Sequence, residues 1–140
     1  VDTLGLLLAV LITSAKVDDG AAAPALLAQV SPQDFPRLEA IFGDTKYHNH
    51  ALDAWLVENR PGWRIEVQAR PPDSKGFTPV PKRWVVERTN AWNGRSRRNS
   101  KDYERKPESA AAMIQISNLH LMLRQLAPSA QREFRYDAAA

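Results

Sequence analysis

Residues 82–106 read KRWVVERTNAWNGRSRRNSKDYERK, with nine Lys or Arg against three acids. A helix that merely covers a core mixes both charge signs on its wet face, so a bias this strong points to a polyanionic partner. The same stretch carries Trp84 and Trp92, eight residues apart and therefore on about one face of a helix. Packing on a sheet accounts for them, as does stacking on unpaired bases. These constraints describe a surface helix with an aromatic back and a basic front. Glu87 is the one carboxylate in its first half, either a metal ligand beside phosphate or the helix partner of Arg83 at four residues' spacing.

The formal charge of the whole chain is only +3, but the isoelectric point is near 9.4. The distribution of charge is thus more telling than its total, and nucleic acid leads the list of partners. A length of 140 residues fits one domain, while ten prolines leave much of it in loops. Cysteine is absent, which excludes disulfide frameworks, zinc fingers and thiol nucleophiles and fits a cytosolic setting. The apolar run at 4–12 is shorter than the ~20 residues a bilayer span needs, and it lacks the basic flank of a signal peptide. Rich in Leu, Val and Ile and uncapped, it resembles a chain entered inside a sheet, so Val1 is expected not to be the natural beginning.

Taken in order, residues 1–3 and 6–15 predict two tightly connected strands, the first of them truncated. Asp18, Asp19 and Gly20 predict a turn and a helix start, with 21–30 as a crossover helix; adjacent acids there suit caps or metal ligands. Residues 37–43 read as a central strand ending at Asp44, and 51–58 as a helix through Leu52, Trp55 and Leu56. Asp44 then sits at the carboxyl end of a strand, where open α/β sheets place their ligand crevice. It also suits an Asx turn or a cap. Residues 63–69 alternate like a half-exposed edge strand, and 70–81, with four prolines, read as an irregular loop. A last helix is expected from Pro107, burying Met113, Ile116, Leu119, Leu123 and Leu126, widened by Ile114, Leu121 and Met122, with His120 satisfied in the core. Residues 128–140 are expected to be a disordered tail.

The segments VDTLGLLLAV, DTKYHNHAL and PKRWVVERTNAWNGRSRRNSKDYE resemble the catalytic domain of bacterial insertion-sequence DDE transposases over about 1–127. The last matches the segment in which such enzymes carry an Arg, three residues, the catalytic Glu and a basic residue about two turns on; here those are Arg83, Glu87 and Arg95. The resemblance implies a partial RNase H-like α/β fold, a mixed sheet flanked by helices, lacking its first strand. It also implies that Asp44 occupies the second catalytic aspartate position and Glu87 the glutamate position, both as metal ligands. The family's first aspartate lies upstream of VDTLG and has no counterpart, and Asp2 is read as a strand residue.

Implied with it are Mg²⁺ as cofactor of the parent enzyme, held weakly or not at all by this chain, DNA as partner at insertion-sequence ends and target, a homodimer in a synaptic complex, no membrane, and a cytoplasmic, nucleoid-associated location. Lys82, Arg83, Arg88, Arg95, Arg97, Arg98 and Lys101 are the candidate DNA-binding residues. Two Mg²⁺ ions about 4 Å apart activate a water or 3′-hydroxyl and stabilise the leaving oxygen, and one carboxylate must bridge them. With that carboxylate missing, the chain alone is expected not to cut or join DNA. Where members of the family carry bulky apolar residues, this sequence has Asn90, Asn93, Ser96 and Asn99, an expected loss of packing. The rival readings are a non-catalytic basic DNA-binding remnant or regulator, and a nuclease pairing Asp44 with Glu66-Val67-Gln68. His48 and His50, two residues apart, do not share a helix face, and no Cys completes a metal set with them.

Overall fold

The computed structural model describes residues 1–68, 82 and 84–127. In chain order it contains helix α1 (Asp19–Leu27), strand β1 (Ala40–Gly43), helix α2 (His50–Asn59), strand β2 (Arg64–Val67), helix α3 (Trp84–Gly94) and helix α4 (Pro107–Leu126). It is a mixed α/β structure with a small sheet. Arg83, the loop at 70–81 and the tail at 128–140 lie outside the described residues.

β1 and β2 pair in parallel, from Ala40 opposite Arg64 to Gly43 opposite Val67. Parallel neighbours need a crossover, and α2 supplies it. Its start is fixed by Asn49, whose Oδ1 accepts from Ala51 N at 2.9 Å, and Leu52 and Leu56 turn inward one helical turn apart. They meet Ala23 and Leu27 of α1, with Ile41, Ile65, Tyr47, Trp55 and Trp63 packed around this nucleus. Asp18 caps α1 by accepting from Gly20 N at 2.9 Å and Ala21 N at 3.2 Å. At the other end of α1, Arg60 Nη2 donates to Ala28 O at 3.2 Å. Its guanidinium lies 5.5 Å from the Trp55 ring centroid and 5.6 Å from that of Trp63. A cation at a helix C-terminus satisfies carbonyls left without intrahelical partners, so Arg60 ties α1 to the end of α2.

The strands expected at 1–3 and 6–15 do not form among the described residues. Asp2 is a turn residue instead: its Oδ1 accepts from Leu4 N at 2.9 Å and Leu6 N at 2.8 Å. Gly5 completes the turn at φ +86°, a conformation that favours glycine. Residues 6–12 are half-buried and irregular. An extended segment becomes a strand only when a neighbour accepts its backbone bonds, and among the described residues β1 and β2 pair with each other alone. The strand expected from residue 37 starts at Ala40 because Leu38 N bonds Phe35 O at 3.0 Å in a preceding turn.

α4 begins at Pro107 as expected, but a different face turns inward. Ile116, Leu119, Leu123 and Leu126 are each more than half exposed, and His120 is exposed as well. Asn118 is the buried residue. Its Nδ2 donates to Asn93 Oδ1 at 2.8 Å and to Ile114 O at 3.0 Å. At the preceding residue of α4, Ser117 Oγ accepts from Asn99 Nδ2 at 2.9 Å. Asn93 and Asn99, which as isolated residues would weaken packing, are thus matched by polar partners on α4, and that matching sets the rotation of the helix. Asn118→Ala is expected to cost about 1–3 kcal/mol in urea unfolding, because it strands the Asn93 amide in a partly dry junction. The Asn93→Ala/Asn118→Ala double variant should cost less than the sum of the single changes; strict additivity would show that the two amides do not act as a pair.

Candidate functional site

Asp44 follows β1 directly, half-buried at the carboxyl end of the strand. Its Oδ1 accepts from Lys46 N at 3.0 Å, capping the 3-10 turn Thr45–Tyr47. The cap fixes the carboxylate while occupying one of its oxygens with a single bond. The Tyr47 ring stands over Gly43, where an added Cβ would come within 2.8 Å of ring Cδ2, so this junction requires glycine. Burial foremost, and then the charges of Asp19 and Asp44, push the Tyr47 phenol above its ordinary pKa. The phenol therefore remains a neutral wall beside Asp44. Lys46 Nζ reaches Asp19 Oδ2 at 3.4 Å with both side chains more than half exposed, an ion pair of small energetic worth.

Glu87 is exposed in the first turn of α3, where the helix dipole favours a carboxylate. It makes no ion pair among the described residues; Arg83, its expected partner, lies outside them. Lys82 Nζ sits 4.0 Å from the centroid of the Phe42 ring. This contact brings the approach to α3 beside the end of β1, two residues before Asp44, and shows Lys82 engaged with an aromatic face.

The remaining basic candidates divide into two groups. Arg88 is turned back onto its own helix, its guanidinium 4.3 Å from the Trp84 ring centroid and 4.7 Å from that of Trp92. The two tryptophans share a face, as their spacing implies, but they stack on an arginine. Arg88 Nη2 donates to Leu4 O at 2.8 Å, and Thr89 Oγ1 donates to Gly5 O at 2.8 Å. Sequence reasoning passed over Thr89 and Gly5 and grouped Arg88 with the other bases. The run Trp84-x3-Arg88-x3-Trp92, a ladder at i, i+4 and i+8, was the available signal. Arg95, Arg97 and Lys101, by contrast, are exposed and make no ion pair among the described residues. Arg98 pairs with Glu104, and the two border a cavity of about 230 Å³ shared with Ile12, Lys101, Tyr103 and Ile114.

Among the described residues no three His, Asp or Glu side chains gather as a metal site. The His48 and His50 rings lie 6.2 Å apart, both exposed. Glu66 is paired with Arg64 at 3.1 Å. No described helix is long and apolar enough to cross a membrane.

A family model described as the transposase DDE domain matches residues 1–123. The chain belongs to the transposase DDE domain family. No curated protein and no solved structure matches it. Membership of this family implies a role in DNA transposition, with DNA as substrate. Such domains generally use divalent metal ions, and the carboxylates of Asp44 and Glu87 are hard oxygen donors of the kind Mg²⁺ takes. Two carboxylates alone fall short of a complete set for two ions.

Proposed function

We propose that this chain is the carboxy-terminal part of the RNase H-like catalytic domain of an insertion-sequence DDE transposase. In this reading Asp44 and Glu87 are two of its three metal-binding carboxylates, and the third comes from outside the described residues. The observation that supports it best is the match of the transposase DDE domain model to residues 1–123; Lys82, two residues before α3, also lies against Phe42 of the strand that precedes Asp44. Mg²⁺, when bound, would supply Lewis acidity and a deprotonated attacking oxygen for in-line displacement at phosphorus. The chain's own part is positional. Asp44 is fixed by its backbone cap, Glu87 is presented on a rigid helix, and Arg95, Arg97 and Lys101 meet the phosphate backbone, joined by Arg98 when DNA displaces Glu104. Lys82 and Arg83, which precede that helix in the chain, are assigned to the same DNA contact. Two copies bridging a pair of element ends in a synaptic complex, at the bacterial nucleoid, complete the reading. Alone, the chain is expected not to cut or join DNA, and Mg²⁺-dependent strand transfer lost in Asp44→Ala would contradict that.

A second reading, resting on the exposed bases Arg95, Arg97 and Lys101, is a non-catalytic DNA-binding protein. Metal dependence separates the two. At constant ionic strength, Mg²⁺ should tighten binding of a short mixed-sequence duplex by the wild-type chain and not by Asp44→Asn/Glu87→Gln. Binding indifferent to Mg²⁺ in both proteins would support the second reading.

A further inference from the structure

We propose that Arg88 and Thr89 are positioning residues, which clamp the Asp2–Leu6 turn to α3 and thereby set the rotation of the helix that aims Glu87. This rests on the reading of Glu87 as a metal ligand.

The turn is self-supporting. Asp2 accepts from the amides of Leu4 and Leu6, Asp2 N bonds Leu6 O at 2.9 Å, and Gly5 N bonds Asp2 O at 3.1 Å. The amides of Asp2, Leu4, Gly5 and Leu6 are thus satisfied internally, and the carbonyls of Leu4 and Gly5 project onto α3. Consecutive helix positions receive them: Arg88 takes Leu4 O and Thr89 takes Gly5 O, each at 2.8 Å. Two bonds from adjacent residues, about 100° apart around a helix, resist rotation about its axis in a way that one bond cannot. Thr89 is buried, and its hydroxyl also lies 3.0 Å from Val85 O in its own helix, so its single proton is shared between the turn and the helix, with Gly5 O the nearer acceptor. Arg88 is held flat by the two indole rings, while its Nε is buried without a hydrogen-bond partner among the described residues.

The approach is also close. A Cβ at Gly5 would stand 2.8 Å from Thr89 Oγ1, 3.1 Å from Trp92 and 3.2 Å from Arg88 Nη2. The turn thus fits α3 only as glycine. Glu87 is the neighbour of this pair in the sequence, so a small rotation of the helix displaces its carboxylate directly, while the exposed bases beyond Gly94 follow through a change of chain direction. Arg88 serves the fold of the site, and its charge is spent on a carbonyl and two aromatic faces.

The test uses the full chain, a short mixed-sequence duplex, and Mg²⁺ at constant ionic strength. Thr89→Val keeps the shape and removes the hydroxyl. It should abolish the Mg²⁺-dependent gain in DNA binding while leaving metal-free affinity and its salt dependence unchanged, and Thr89→Ser should restore the gain. Gly5→Ala, which presses on the same clamp from the other side, should reproduce the loss. Arg88→Met should leave the salt slope unchanged, since the Arg88 guanidinium is engaged by Leu4 O and two indole rings. Retention of the full Mg²⁺ gain by Thr89→Val and Gly5→Ala, or a salt slope that falls in Arg88→Met, overturns the proposal. If the wild-type chain shows no Mg²⁺ gain, the metal-site reading fails and this proposal fails with it, an outcome distinct from a gain that survives the substitutions.

Discussion

Leu52→Ala is expected to remove about 2–5 kcal/mol of stability, the range for emptying a well-packed leucine site. Leu52 is 1% exposed and stands at the centre of the cluster that joins α1, α2 and the two-stranded sheet. The buried apolar residues are few: Ala23, Leu27, Val30, Leu52 and Leu56. Small domains have total stabilities at the low end of about 5–15 kcal/mol, so one cavity here consumes a large share. The partners are a helix, a crossover and two strand residues with no slack to refill the space, and collapse around the missing methyls is limited by the parallel pairing of β1 with β2. Urea unfolding followed by tryptophan fluorescence reads the effect through Trp55 and Trp63, both packed against the same cluster. The midpoint should fall sharply at constant slope. A loss below about 1 kcal/mol, within the range of ordinary surface changes, would mean that these elements do not unfold as one cooperative unit.

Removing the charges of Arg95, Arg97 and Lys101 together should weaken DNA binding by orders of magnitude at low salt and flatten its salt dependence. Each base that meets a phosphate releases counterions worth roughly 0.9 in the slope of log K against log salt, so three should lower it by roughly two to three units. These residues are chosen because they are exposed and make no ion pair among the described residues. Arg64 is a matched control, also exposed but engaged by Glu39 and Glu66, and its replacement should leave the slope unchanged. A slope that persists in the triple variant would move the DNA surface away from the exit of α3. Specificity should change little in either case, because phosphate contacts orient a protein on DNA and carry no base information.

What could be read from the sequence was mostly local chemistry. Asp18 before Asp19-Gly20 announces a cap, Pro107 announces a helix start, and Asp44 after an apolar run announces both a strand end and an Asx cap. Each of these is decided within a few residues. The misread elements depend on distant partners. Residues 6–15 have the composition of a strand, but a strand also needs a neighbour, which composition does not report. On α4, Ile116, Leu119, Leu123 and Leu126 outweigh Asn118 in any periodicity count. Yet the Asn118 amide meets Asn93, 25 positions away, and a matched polar pair turned the helix by its own geometry. Arg88 was hidden in the same way, since a base among bases looks like part of a DNA-facing surface until its two flanking tryptophans are placed at helical spacing. For Asp44 and Glu87 the resemblance to the transposases carries more than the spacing does, because the two stand 43 positions apart in the chain.

Whether Asp44 and Glu87 serve one metal site is decided by Mn²⁺ titration of the ¹⁵N-labelled chain. Paramagnetic broadening detects even a sparsely populated site, which suits a site with two carboxylates. Amides around Asp44 and around Glu87 should broaden together at the same Mn²⁺ concentrations, and either Asp44→Asn or Glu87→Gln should weaken the broadening at both places. Broadening confined to one of the two regions, or spread evenly over exposed carboxylates such as Asp34 and Glu58, would contradict a shared site.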